Sequence, residues 1–371
     1  MIALRVLAGI AGVSIILATL MSAVRTVILP RGVPVRLGRR VFRIMGALFE
    51  FRVGKDASYR RRDRIFALYA PVTLLVLLVT WLTLTFVGYT LVFVAIGIDP
   101  LRDAATVSGS ALLTLGLVHP DAIGATLISF TAAAVGFILL ALLISYLPTL
   151  YAVFSRREAA VMTLETRAGS PPSAATMLER YWRIEFFDEL AALWERWEGW
   201  FVELAETHTS FPAIAFFRSP QPDHSWITAA GTVLDAAALR CSAVDAPREP
   251  RAELMIRAGY LALRRIAAFF GFLFDEDPRP DDPISITRPE FDQACDRLAA
   301  EGMPIRRDRD QAWRDFAGWR VNYDTVLLEL AALTHAPPTP WTSDRSPIVS
   351  GRPSSGRARR AAMANRARAA R

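Results

Sequence analysis

The sequence predicts an all-α membrane protein: three transmembrane helices, a re-entrant loop between the second and third, and a cytosolic helical domain. Three observations predict it. Long charge-free runs are confined to the first 155 of 371 residues. Basic residues flank those runs asymmetrically. The segment joining the last two runs is apolar where a connection in water would be polar.

The first run is Val6 to Val24, bracketed by Arg5 and Arg25. Nineteen residues rise about 28 Å, close to the hydrocarbon thickness. A cleaved signal peptide is the competing reading, with small residues at Ser22 and Ala23. The strongly basic stretch that follows resists translocation, so an uncleaved anchor fits better. Phe66–Ile98 and Ala122–Phe154 each carry no charge over 33 residues. Both exceed the length a span needs, so they tilt, bend or project. Pro71, Gly88, Gly136 and Pro148 are the places where bending is easiest.

Charge sets the orientation. Between the first two runs lie ten arginines and Lys55, against Glu50, Asp56 and Asp63. The loop at 99–121 carries only Arg102, and Arg156 and Arg157 follow the third run. The expected arrangement is a multi-pass protein of the cell membrane, N-terminus outside and C-terminus cytoplasmic. Its parts are an N-terminal helix (1–29), a basic cytoplasmic linker (30–64), a helix–loop–helix module (65–152), a cytosolic helical domain (153–336) and a disordered basic tail (337–371).

Within the module, Pro100 and Asp103 can start a short helix, the carboxylate being favoured near its N-terminus. That helix, with Ser108 and Ser110, would run to about Leu113. The chain would then return as extended backbone through Thr114, Leu115, Gly116 and Leu117. Backbone outside a helix is tolerated at membrane depth only where protein or a water-filled pore surrounds it.

Span, short helix, Thr-x-Gly turn and span resemble the pore module of the potassium-channel superfamily. The closer resemblance is to bacterial proteins described as two-pore-domain potassium channel-like or ion-channel-like. It is carried by the segment Ser108 to Gly116, by the stretch Tyr146 to Glu158 with Arg167 to Pro172, and by Gly318 to Asp324. No chemistry can be assigned to that last motif. The resemblance implies a homotetramer in the lipid bilayer that passes monovalent cations. Thr114, Leu115, Gly116 and Leu117 take the selectivity-filter positions, and Asp103, Ser108 and Ser110 lie on the pore helix. Stacked hydroxyls and carbonyls from four copies would replace the ion's water shell. Gly116 would supply the unusual backbone angles this demands.

The departures from that family matter. Leu117 stands where an aromatic residue packs behind the filter, and Val118 where a second glycine lies. A β-branched residue resists positive φ. A shortened, weakly selective filter follows, as in cyclic-nucleotide-gated channels. Val118 and His119 would form the outer mouth. His119 would place a titratable group there, although an ordinary loop histidine is the plainer reading. Gly136 and Pro148 are candidate gating hinges; helix packing is the alternative for Gly136.

Beyond residue 153 the sequence predicts helices around Leu190–Leu204, Ala252–Phe274, Phe291–Leu298 and Gln311–Thr334. The acidic, proline-interrupted stretch Asp275–Pro283 is either a calcium site or, more simply, a solvated linker. Cys241 and Cys295 read as buried, reduced thiols. His208 and His224 lack the partners of a zinc site. No Walker loop, dinucleotide fingerprint or nucleophile elbow occurs. An enzyme, a cofactor, a metal and a nucleic-acid partner are therefore not expected. The tail sets eight arginines against Asp344. It suits anionic lipid at the inner leaflet, or merely solubilises. The expected function is a pore-forming, ion-channel-like subunit. The alternative is a non-conducting membrane-anchored scaffold or sensor acting through its cytosolic domain.

Overall fold

The computed structural model describes residues 2–28, 36–54 and 57–345. Helix makes up 75% of it, and no strand occurs among the described residues. Three stretches are long and apolar enough to cross a membrane: Ile2–Val27, Tyr59–Ala95 and Ile123–Ala168. The chain divides into two compact units. One comprises Met1–Ala57, Ile65–Val153 and Ser210–Phe217, the other Ser58–Arg64, Phe154–Thr209 and Arg218–Arg371.

The first unit holds α1 (Ile2–Val27), α2 (Arg36–Val53), α4 (Tyr69–Ala95), α5 (Leu101–Leu112) and the first part of α6 (Ile123–Ala168). A short helix α3 (Tyr59–Phe66) precedes α4. Apolar side chains gain little by leaving lipid for one another, so spans associate through close backbone approach. Glycines permit that here. A Cβ on Gly12 would stand 2.5 Å from the Gly88 carbonyl oxygen, and one on Gly88 would stand 2.7 Å from Ile16. Trp81, fully buried, donates its indole N–H to Ser22 Oγ at 3.2 Å. Gly88 is thus a packing position within an unbroken helix. Gly136 is another: its Cβ would meet the Leu112 carbonyl oxygen at 2.0 Å. Pro148 lies exposed inside the continuous 46-residue α6.

The stretch read as a basic linker is largely helical. Val41, Phe42, Met45 and Phe49 recur on one face of α2 and pack into the unit's core. Phe42, Phe49, Phe66, Tyr69 and Phe216 form an aromatic cluster, and the Tyr69 hydroxyl donates to the Phe42 carbonyl at 2.9 Å. Leu29–Val35, Lys55 and Asp56 lie outside the described residues.

The second unit is built around α9 (Trp226–Ser242), of which nearly every residue is buried. Packed with it are α7 (Ala174–Arg183), α10 (Pro250–Phe270), α12 (Arg309–Arg320) and α13 (Asp324–Leu333). The helices α8 (Leu190–Ser210) and α11 (Arg288–Ala300) complete the unit. The predicted stripe Leu190, Trp194, Trp197, Phe201 and Leu204 on α8 is buried throughout. The helix expected over Gln311–Thr334 is instead two, broken at Val321–Tyr323. Residues 337–345, expected to open the disordered tail, are ordered. Thr339, Thr342 and Ser343 are buried, and Arg345 pairs with Glu290. Small hydroxylated residues fit against a packed core as readily as they solvate a loose chain, so composition misplaced this boundary. The remaining tail, 346–371, lies outside the described residues.

Candidate functional site

The segment between α4 and α6 begins with α5, whose first turn carries Asp103. Ser108, fully buried, donates to the Phe86 carbonyl of α4 at 2.9 Å, and a Cβ on Gly109 would rest 3.4 Å from the Phe86 ring. The C-terminal end of α5 bears the partial negative charge of its dipole. After Leu112 the chain does not simply extend. Thr114 takes φ 54 and Gly116 φ 66, while Leu115 between them stays out of the left-handed region. Nothing crowds Gly116, so glycine is required there for its backbone angle and not for space. At Thr114 a β-branched residue sits where it is disfavoured, at a cost of about 1–3 kcal/mol. Sequence reasoning assigned the unusual angle to Gly116 alone.

The hydrogen bonds of this turn run one way. Leu113 N–H donates to the Gly109 carbonyl at 3.1 Å, Thr114 N–H to Ala111 at 3.0 Å and Leu115 N–H to Ser110 at 2.8 Å. The Ser110 hydroxyl, itself buried, accepts from Leu117 N–H at 2.8 Å and Val118 N–H at 3.2 Å. Ser110 therefore organises the turn through both its carbonyl and its side chain. The carbonyl side is different. Among the described residues, no donor reaches the carbonyl oxygens of Thr114, Leu115, Gly116, Leu117 or Val118. Residues 113–119 are all exposed, Leu117 by 72%. Carbonyl oxygens without a donor and exposed leucines thus occur in one short segment.

The other predicted site residues lie C-terminal to this turn. Val118 and His119 lie in the exposed stretch that follows it. Gly136 sits against the end of α5, through the Leu112 carbonyl. Pro148 is twelve residues further along α6, about 18 Å away along the axis. The structure thus links Ser110 to Leu115, Leu117 and Val118, sets Gly136 against Leu112 at the end of α5, and leaves Pro148 apart.

The second unit answers the motif that carried no chemistry. Arg320, wholly buried, forks onto Asp235 at 2.6 and 2.7 Å, bonds Asp324 at 2.9 Å and donates to the Trp341 carbonyl at 2.6 Å. The Tyr323 hydroxyl donates to Asp235 at 2.8 Å. Ser285 donates its N–H and its hydroxyl to Asp324 at 3.0 and 2.6 Å. Burial pulls the Arg320 pKa down, but the carboxylates of Asp235 and Asp324 outweigh it and hold the guanidinium charged. Each buried charge of this network has an opposite charge within the fold, as burial away from water requires. Asp235 went unnoticed because it is a lone acid in an apolar run, 85 residues from its partner.

The remaining candidates have structural explanations. Asp275 and Asp282 accept from the N–H groups of Asp277 and Arg279, capping their own loop. No group of three or more His, Cys, Asp or Glu is arranged to hold a metal ion among the described residues. His208 is buried beside Arg157, and burial followed by that positive charge holds its pKa well below the ordinary value. Burial raises the Cys241 and Cys295 thiols to about 12 and about 11, which leaves them unreactive. No protein-family model, characterised protein or solved structure matches this chain.

Proposed function

We propose that the chain is the pore-forming subunit of a channel that passes monovalent cations passively, four copies meeting around one axis. One observation carries this reading: five consecutive carbonyl oxygens, Thr114 to Val118, have no donor among the described residues, while the N–H groups of Leu113, Thr114, Leu115, Leu117 and Val118 are satisfied. A row of outward carbonyls at the negative end of a short helix is the arrangement that substitutes for a cation's hydration shell. Four copies would also cover Leu113, Leu115 and Leu117, which are exposed in one. The resemblance to bacterial two-pore-domain potassium channel-like proteins implies the same function. The left-handed positions stop at Gly116, since Val118 is not at positive φ. The filter is therefore short, and discrimination between K+ and Na+ is weak.

Two ion pairs support the three-span topology. Arg5 at the start of α1 pairs with Asp99 after α4, so both lie on one side of the bilayer. Asp63 before α4 pairs with Arg218 at 2.6 Å, so both lie on the other. With the basic residues at 36–64 the second side is cytoplasmic.

The test is cation efflux from proteoliposomes. Wild type is expected to release K+ and Na+ at comparable rates above the protein-free background. Gly116→Pro is expected to abolish that flux, and Ser110→Ala, which removes the acceptor of two N–H groups, to lower it about tenfold. Wild-type flux at background would sink the pore and leave the membrane-anchored scaffold or sensor.

A further inference from the structure

The helix α2 was expected to be linker, and its surface has three distinct faces. Val41, Phe42, Met45 and Phe49 pack into the first unit. Ile44, Leu48 and Phe51 form a second row at i, i+4 and i+7, all exposed, Phe51 by 89%. Arg36, Arg40 and Arg43 form a third row at the same spacing, also exposed. At 100° per residue the two exposed rows lie about 80° apart. The apolar row thus falls between the arginines and the packed face. A helix in water has no use for three bare apolar residues beside its own protein.

Its level in the bilayer follows from the spans. About 20 residues cross the hydrocarbon core. Counted from the outer pair Arg5–Asp99, that distance ends near Arg25 on α1 and near Leu77 on α4. Val41 packs in one cluster with Ala23, Leu77 and Trp81. The Phe42 carbonyl binds Tyr69, at the start of α4. The helix therefore lies against the turns where α4 leaves the core.

We infer that α2 is an interfacial helix that binds anionic phospholipid headgroups, with Ile44, the apolar residue nearest the level of Leu77, at the acyl boundary, Leu48 and Phe51 further out beside Tyr69 and Phe66, and Arg36, Arg40 and Arg43 on the phosphates. Charge complementarity and continuity with the spans select this occupant. The site is separate from the C-terminal tail. The inference rests on the membrane-span reading and not on conduction.

The test uses the full chain in vesicles of phosphatidylcholine with a minority of phosphatidylglycerol. Spin-labelled phosphatidylglycerol is expected to be held several-fold over labelled phosphatidylcholine. The combined variant Arg36→Gln, Arg40→Gln, Arg43→Gln is expected to bring that ratio near one, and a chain ending at Arg345 to keep it. Raised salt should erase the wild-type preference without any substitution. A spin label at Ile44→Cys, with Cys241 and Cys295 replaced by alanine, should meet oxygen far more than an aqueous nickel chelate. A preference that survives the three glutamines, or leaves with the tail, overturns the site. So does a label at 44 that sits in water. Lipid preference without cation flux would refute the pore and retain this site.

Discussion

The turn at 113–118 and the network around Arg320 treat polar groups in opposite ways. Around Arg320, charged groups that share one interior space are matched: guanidinium to two carboxylates, phenol to carboxylate, hydroxyl to carboxylate. Around Ser110 the N–H groups of Leu115, Leu117 and Val118 are matched, and the carbonyl oxygens of Thr114 to Val118 have no donor among the described residues. Burial explains the first, because an unpaired charge away from water costs several kcal/mol. The second has no such explanation within one chain. The contrast separates polar residues that hold a fold from polar groups left for something else.

The sharpest way to break that contrast is to open the closed network. Arg320→Met leaves Asp235 and Asp324 buried without their cation. We expect a loss of about 3–5 kcal/mol, read as a fall in thermal unfolding temperature in detergent. An unchanged temperature would remove the distinction between the two regions.

A smaller effect is expected where α6 passes the end of α5. Gly136→Ala places a methyl group 2.0 Å from the Leu112 carbonyl oxygen, so the two elements must part. Overpacking of this kind costs about 1–3 kcal/mol and should lower flux along with stability. Gly199→Ala is the control, since nothing lies within 4 Å of its added methyl group. In mid-helix α8 it should be neutral or stabilise by up to about 1 kcal/mol. Equal effects of the two substitutions would show that close approach at Gly136 is unimportant.

The smallest expected effect concerns pH. Burial, then the charges of Arg218 and Arg62, lowers the His335 pKa from 6.5 to about 4. The unfolded chain therefore binds the extra proton between those values while the folded chain does not. Stability falls as pH drops through that window, by about 1 kcal/mol at pH 5.5. His335→Asn should flatten part of the pH dependence of unfolding, leaving the portion due to His208. A profile identical to wild type would contradict the assignment.

How much could be read from sequence depended on how local the signal was. Long apolar runs marked α1, α4 and α6 because a span advertises itself by length alone. The short helix after Pro100 was legible from Asp103 and the run that follows. By contrast α9 is apolar around its whole circumference, so it shows no 3.6-residue period, although it is the most buried helix of its unit. The break at Val321–Tyr323 was invisible because residues 321–323 hold neither Pro nor Gly, and Asp235, which Arg320 and Tyr323 bind, lies on that unseen helix. In α2 the density of arginine masked a clear period in Val41, Met45 and Phe49. The left-handed angle at Thr114 could not be foreseen either. Residue type argues against it, and only the hydrogen bonds around Ser110 explain it.

The pair Asp63–Arg218 also has a history in time. Its members stand 155 residues apart, and both of the later spans are made between them. At about 5–20 residues per second, Asp63 waits roughly 8–30 s for its partner. Throughout that interval the nascent chain must keep the short helix before α4 soluble without its eventual neighbour. A ribosome-bound chain halted before residue 218 should therefore expose α3 to protease, and one released after residue 345 should protect it.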